Sequence, residues 1–168
     1  MERWDFWLLK VLPLVMFFLG CLMDFFRKDS LKLWYKNYLP LFIGAPFLIP
    51  FHFLPDIFLF GTVFYSVNLL MALWLWRLNW KNWGLNIFSA GMFLNMLVCL
   101  LNGNQMPALA GFDSRSKFHQ LLTPETYLPF LADIIEIGGY FITVGDLLMI
   151  GGSVIFALRQ TYLFLKKT

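Results

Sequence analysis

The sequence predicts an all-α fold, a polytopic transmembrane helix bundle of about five spans plus one interfacial helix. Three observations predict it. Of 168 residues, 60% are hydrophobic and only 14% are charged, with 20 Phe and 7 Trp; a soluble domain carries about 25% charged residues. The apolar residues fall in runs of spanning length, about 20 residues each. The Lys and Arg residues gather in alternate connections between those runs.

Taken in order, Trp7 to Phe26 supplies the first span, and the polar stretch Arg27 to Asn37 ends it. Within it, Phe18-Leu19-Gly20-Cys21 has the look of a lipoprotein cleavage box. The N-terminal residues are not simply basic and further spans follow, so the run is expected to be retained as a span. The apolar region from Tyr38 to Trp76 is long enough for two spans. Pro55-Asp56 divides it, because Pro cannot continue a helix and Asp favours a turn. Span two is then Tyr38 to Leu54 and span three Ile57 to Trp76. Pro40, Pro46 and Pro50 should kink or partly unwind span two, freeing carbonyls that neighbours or water must satisfy.

Asn79 to Trp83 is a short polar turn and Gly84 to Leu101 is span four. A long loop, Asn102 to Thr126, follows. Tyr127 to Phe141 is apolar but broken by Pro129, Asp133, Glu136, Gly138 and Gly139, so it reads as the interfacial helix. Thr123-Pro124-Glu125 has the form of a helix start, with a cap, Pro at the first position and an early acid. Ile142 to Leu165 is span five. The chain forms a single integral membrane domain, with no internal repeat.

Nine basic residues (Arg27, Lys28, Lys32, Lys36, Arg77, Lys81, Arg159, Lys166 and Lys167) fall on one side of this arrangement, and four (Arg3, Lys10, Arg115 and Lys117) on the other. The positive-inside rule puts the N-terminus and the long loop outside and the C-terminus in the cytoplasm of a multi-pass cell-membrane protein. Most of the acids lie on the outer side. The net charge of +3 comes without a basic stripe, which argues against nucleic acid. Cys21 and Cys99 lie in apolar runs and read as small hydrophobes rather than a disulfide or metal pair. With only His52 and His119 in the chain, a multi-histidine metal site is not expected, and no motif calls for a cofactor.

Carboxylates in or beside lipid are costly, so they are usually paired, lining a cavity, or functional. Asp146 opens the last apolar run and Asp133 precedes it. Thr143-Val144-Gly145-Asp146 is a capping-box pattern, which gives Asp146 a structural reading as well. Asp133 and Glu136, three residues apart, would share a helix face, either in headgroup water or beside a ligand. In the functional reading Asp133 and Asp146 are catalytic: two close carboxylates share a proton and give a base and an acid able to activate water. Asn102-Gly103-Asn104-Gln105-Met106-Pro107 ends span four, either as a plain helix stop or as a polar lip in which Asn102 and Asn104 orient a ligand. His119 is either a surface histidine or a titrating group of the same site. His52, Asn68 and Asn95 lie within spans and are expected to make interhelical hydrogen bonds.

Those residues resemble a family of small polytopic bacterial membrane proteins of unassigned function, marked by an N-G-G-x-M-P loop, then a His, then Leu-x-Asp, then Gly-Asp opening the last span. Here these are Asn102 to Pro107, with Asn104 in place of a glycine, then His119, Leu131-Ala132-Asp133 and Gly145-Asp146. A fainter similarity, of placement only, is to lipoprotein signal peptidase, an intramembrane aspartyl protease with two acids near its outer face. That likeness implies hydrolysis of a lipidated or membrane-embedded peptide by Asp133 and Asp146. The other reading is a non-catalytic membrane module that binds a lipid, a partner helix or a small solute.

Overall fold

The computed structural model describes residues 15–16, 18–23, 25–26, 57–78, 81–109, 119–137 and 140–166. The kinked second span, His52, the Pro55-Asp56 break and the first basic loop all lie outside the described residues. Residues 15–16, 18–23 and 25–26 are helical, inside the expected first span. Three long helices follow: α1 (Ile57–Leu78), α2 (Trp83–Leu101) and α3 (Val144–Leu165). Their extents lie within two residues of expected spans three, four and five.

The expected fold class is overturned on two points. The chain is not all-α: β1 (Met106–Ala108) pairs in parallel with β2 (His119–Leu121), and β3 (Ile135–Ile137) pairs antiparallel with β4 (Tyr140–Ile142). Nor does the structure show a five-span bundle; among the described residues, two helices, α2 and α3, are long and apolar enough to cross a membrane. These two helices point weakly to membrane association.

The interfacial helix expected over Tyr127 to Phe141 is instead a 3-10 turn (Pro129–Leu131) followed by the β3–β4 hairpin. The reason is local. Ile134, Ile135 and Ile137 are β-branched, Tyr140-Phe141-Ile142 is β-favouring, and Gly138-Gly139 between them is a two-residue hairpin signal. Thr123-Pro124-Glu125 starts no helix. It forms a turn in which Thr126 N–H donates to Thr123 O at 3.0 Å and Thr123 N–H donates to Thr126 Oγ1 at 2.9 Å.

The helices pack through backbone rather than long side chains. A Cβ on Gly84 would sit 2.9 Å from Gly152 O, and one on Gly152 would sit 2.7 Å from Gly84 O. Seven residues along each helix, Gly91 and Gly145 repeat the reciprocal contact, with a Gly145 Cβ 2.7 Å from Gly91 O. The order of contacts makes α2 and α3 antiparallel. Small residues at such spacing let helix axes approach closely, which favours association where lipid removes the hydrophobic drive. Phe156 fills the junction: it is fully buried, and Gly84 and Gly20 both make room for it. Around it pack Cys21, Ala72, Leu75, Leu85, Phe88 and Met92. A second cluster, Tyr65, Val98, Cys99, Met106 and Leu131, joins α1 and α2 to the strands and lies under the site described next.

Candidate functional site

The C-terminal end of α2 stops on an asparagine that ties three segments together. Asn102 Nδ2 donates to Val98 O at 2.8 Å and to Tyr127 O at 3.0 Å, while its Oδ1 accepts from Tyr127 N–H at 2.9 Å. Asn102 therefore closes its own helix and clamps the chain that returns 25 residues later. Gly103 and Asn104 both take φ of 66°. Asn is the side chain that best tolerates this left-handed conformation after glycine. Asn104 N–H reaches back to Cys99 O at 2.8 Å, and its Nδ2 donates to Thr62 Oγ1 on α1 at 2.8 Å. Gly61 leaves the space: a Cβ there would lie 2.9 Å from that of Asn104. Both asparagines are buried and bonded to protein. They tie the loop to α1, to α2 and to the chain returning at Tyr127.

Asp133 is held by β1. Its N–H donates to Pro107 O at 2.9 Å, its carbonyl accepts from Leu109 N–H at 3.3 Å, and it bridges Ala108 in parallel. On the other edge of β1, Met106 pairs with His119. The two edges bring the side chains together: His119 Nε2 lies 3.2 Å from Asp133 Oδ2, with the imidazole 20% and the carboxylate 7% exposed. A carboxylate that accepts from Nε2–H fixes the imidazole tautomer and leaves Nδ1 as its basic nitrogen. Glu136 is not part of this group. It is exposed on β3 opposite Phe141, because the segment is extended and not helical as expected.

Asp146 belongs to a separate network. Thr143 is the N-cap of α3 and both halves of the capping box form: Asp146 N–H donates to Thr143 Oγ1 at 2.8 Å and Thr143 N–H to Asp146 Oδ2 at 3.0 Å. Asn95 on α2 completes a ring, donating from Nδ2 to Asp146 Oδ1 at 2.8 Å and accepting from Thr143 Oγ1 at 2.7 Å. Both carboxylate oxygens of Asp146 are thus taken, and its partners among the described residues are Asn95 and Thr143. Asp146 is bonded to Asn95 and Thr143, and Asp133 lies against His119. Cys99 lies within electrostatic reach of both acids and shares a hydrogen bond with Tyr65.

Sequence reasoning put Asp133, Asp146, Asn102, Asn104, His119 and Glu136 at one site; the structure brings His119 and Asp133 together. It did not single out Tyr65 and Cys99, which carry no motif, or Thr62, whose role depends on where α1 lies against the loop. It did expect Asn95 to bond across helices. Among the described residues, no group of three or more His, Cys, Asp or Glu could hold a metal ion.

No curated protein and no solved structure matches the chain. The loop motif and the likeness to lipoprotein signal peptidase draw no support from these comparisons. What they do show is the family: over residues 7–158 the chain matches the model of DUF5317, a family of unknown function, and it belongs to that family.

Proposed function

We propose that this chain is an integral membrane protein with an acid–base site at its extracytoplasmic boundary, and that the site hydrolyses a lipidated or membrane-embedded peptide. The observation that carries the reading is the Asp133–His119 pair, a buried carboxylate 3.2 Å from a partly exposed imidazole. The outward apolar side chains of α1 and α3, among them Leu70, Trp74, Leu158 and Leu165, support insertion, since soluble surfaces do not carry so large an apolar face. The excess of basic residues on the opposite side supports the orientation.

In this mechanism His119, oriented by Asp133, takes a proton from a water as its oxygen attacks the amide carbonyl. The imidazolium then returns that proton to the leaving amine, so the C–N bond breaks and the base is regenerated. Asp146 acts as a positioning residue, holding Asn95 and the start of α3 beneath the pair. The alternative is a non-catalytic module that binds a lipid, partner helix or small solute.

The test compares membrane peptides and lipoproteins by mass spectrometry in cells lacking the protein and in cells carrying wild type, His119→Ala, Asp133→Asn or both. Hydrolysis predicts that the same uncleaved species accumulate in the deletion and in each variant. The double variant should be no worse than either single one, with protein abundance unchanged. Wild-type peptide profiles in both single variants would remove the hydrolase reading and leave the binding module.

A further inference from the structure

The turn before Asp133 sorts its apolar residues to two sides. Leu128 and Leu131 pack into the second core cluster, whereas Tyr127 and Phe130 are 63% and 61% exposed. Leu128 takes φ of 53°, a left-handed conformation that leucine adopts only where its surroundings impose it. The backbone of the turn is bonded inward. Asn102 bonds both Tyr127 N–H and Tyr127 O. Leu131 N–H donates to Leu128 O at 2.9 Å, Ala132 N–H to Pro129 O at 3.2 Å and Asp133 N–H to Pro107 O at 2.9 Å. Pro129 has no N–H to bond. A loop in water is free to leave such groups to solvent, but a non-helical segment at membrane depth must satisfy them within the protein.

The two exposed rings also continue an apolar surface of spanning length. Trp83, Ile87, Ala90, Leu94, Leu97 and Leu101 recur every three or four residues, so they share one face of α2, and all are half-buried or exposed. This face opens on Trp83, 75% exposed, and ends on Leu101, next to the Asn102 that clamps Tyr127. With 19 residues, α2 is about 28 Å long, close to the roughly 30 Å hydrocarbon thickness of a bilayer. Aromatic rings are thus exposed at both ends of one spanning length, as interfacial belts require. We propose that Tyr127 and Phe130 anchor this turn in the headgroup–acyl boundary of the bilayer. A Tyr ring suits that boundary because its body is apolar and its hydroxyl polar. Asp133 follows Phe130 by three residues and lies against His119, so the anchor fixes the depth of that pair. This deepens the hydrolase reading and rests on it for one point: the bond that meets the pair is the one adjoining the substrate's lipid or transmembrane anchor.

The experiment is nitroxide labelling of the full chain in phosphatidylcholine–phosphatidylglycerol vesicles. The label's accessibility to oxygen, which concentrates in lipid, is compared with its accessibility to a water-soluble nickel chelate. Tyr127→Cys, Phe130→Cys, Glu125→Cys and Leu70→Cys are labelled one at a time, and wild type, whose Cys21 and Cys99 are buried, gives the background. Glu125 is exposed on the same loop and should favour nickel. Leu70 is exposed near the middle of α1 and should favour oxygen. Tyr127 and Phe130 should share the sign of Leu70. If they favour nickel while Leu70 favours oxygen, the anchor is overturned and insertion and hydrolysis stand. Low access of both reagents to Tyr127 and Phe130 also overturns it, because a protein surface then covers the turn. Nickel preference at Leu70 as well overturns the inserted chain on which the anchor depends. Oxygen preference at Tyr127 and Phe130, with peptide profiles unchanged by His119→Ala, upholds the anchor and removes the hydrolase reading alone.

Discussion

The α2–α3 seam and the cap that joins those two helices solve the same problem in opposite ways. The seam excludes side chains: Gly84, Gly91, Gly145 and Gly152 let two backbones touch, and fully buried Phe156 fills the remaining gap. The cap is built from polar side chains that replace backbone partners, with Asn102 serving three bonds and Asn95 joining Thr143 and Asp146. Shape therefore fixes the seam, and hydrogen-bond satisfaction fixes the cap. A small change in volume should be ruinous in the first and mild in the second. A small change in polarity should do the reverse.

The largest effect is expected where a side chain is added to the seam. A Cβ on Gly91 would collide with Gly145 O and lie 2.8 Å from Met149 N, both backbone atoms that cannot step aside. Gly91→Leu should cost at least ~3 kcal/mol, at or beyond the upper end of overpacking penalties. It should appear as lost monodisperse protein on size-exclusion chromatography in detergent. Gly151→Ala is the matched control: nothing lies within 4 Å of its Cβ, and alanine is the better helix former by about 1 kcal/mol. Equal behaviour of the two variants would mean that the helices are not in backbone contact.

In the cap the sensitive position is Asn102. Asn102→Ala removes three hydrogen bonds and leaves Tyr127 N–H and Tyr127 O without their partner. The expected cost is ~2–3 kcal/mol, with the loop after α2 becoming the first site cut by protease. Asn104→Gly should be far milder, because glycine accepts a φ of 66° freely and only the bond to Thr62 is lost. A protease map unchanged by Asn102→Ala would refute the clamp.

The same contrast explains what could be read before the structure. The extents of α1, α2 and α3 were legible because hydrophobic run length and the Thr143–Asp146 capping box are local signals. Residues 127–141 read as helix from apolarity, which alone does not separate a helix from a strand; the β-branched residues and Gly138-Gly139 are the local signal for the extended chain. Asp133 and His119 were both singled out, but their pairing was not, since it depends on two edges of a three-residue strand. Glu136 was placed with Asp133 by helical spacing that the extended chain does not have. The reciprocal glycines carry no local signal: Gly84 and Gly91 on one helix, and Gly145 and Gly152 on the other, have meaning only once the antiparallel register is known.

The smallest effect falls on a buried polar atom of α2. Ser89 is fully buried on α2 and its Oγ has no hydrogen-bond partner among the described residues. Ser153 on α3 is equally buried, but its Oγ donates to Ile150 O at 2.8 Å. Removing a satisfied buried hydroxyl costs its net hydrogen bond, about 1 kcal/mol, whereas removing an unsatisfied one relieves a desolvation penalty. Ser153→Ala should therefore lower the melting temperature slightly, and Ser89→Ala should leave it unchanged or raise it. Serine and alanine differ by one oxygen, so neither variant disturbs the glycine contacts on which the seam depends. A clear destabilisation by Ser89→Ala, measured by thermal unfolding in the same detergent, would mean that Ser89 Oγ has a partner after all, a water or a bound headgroup.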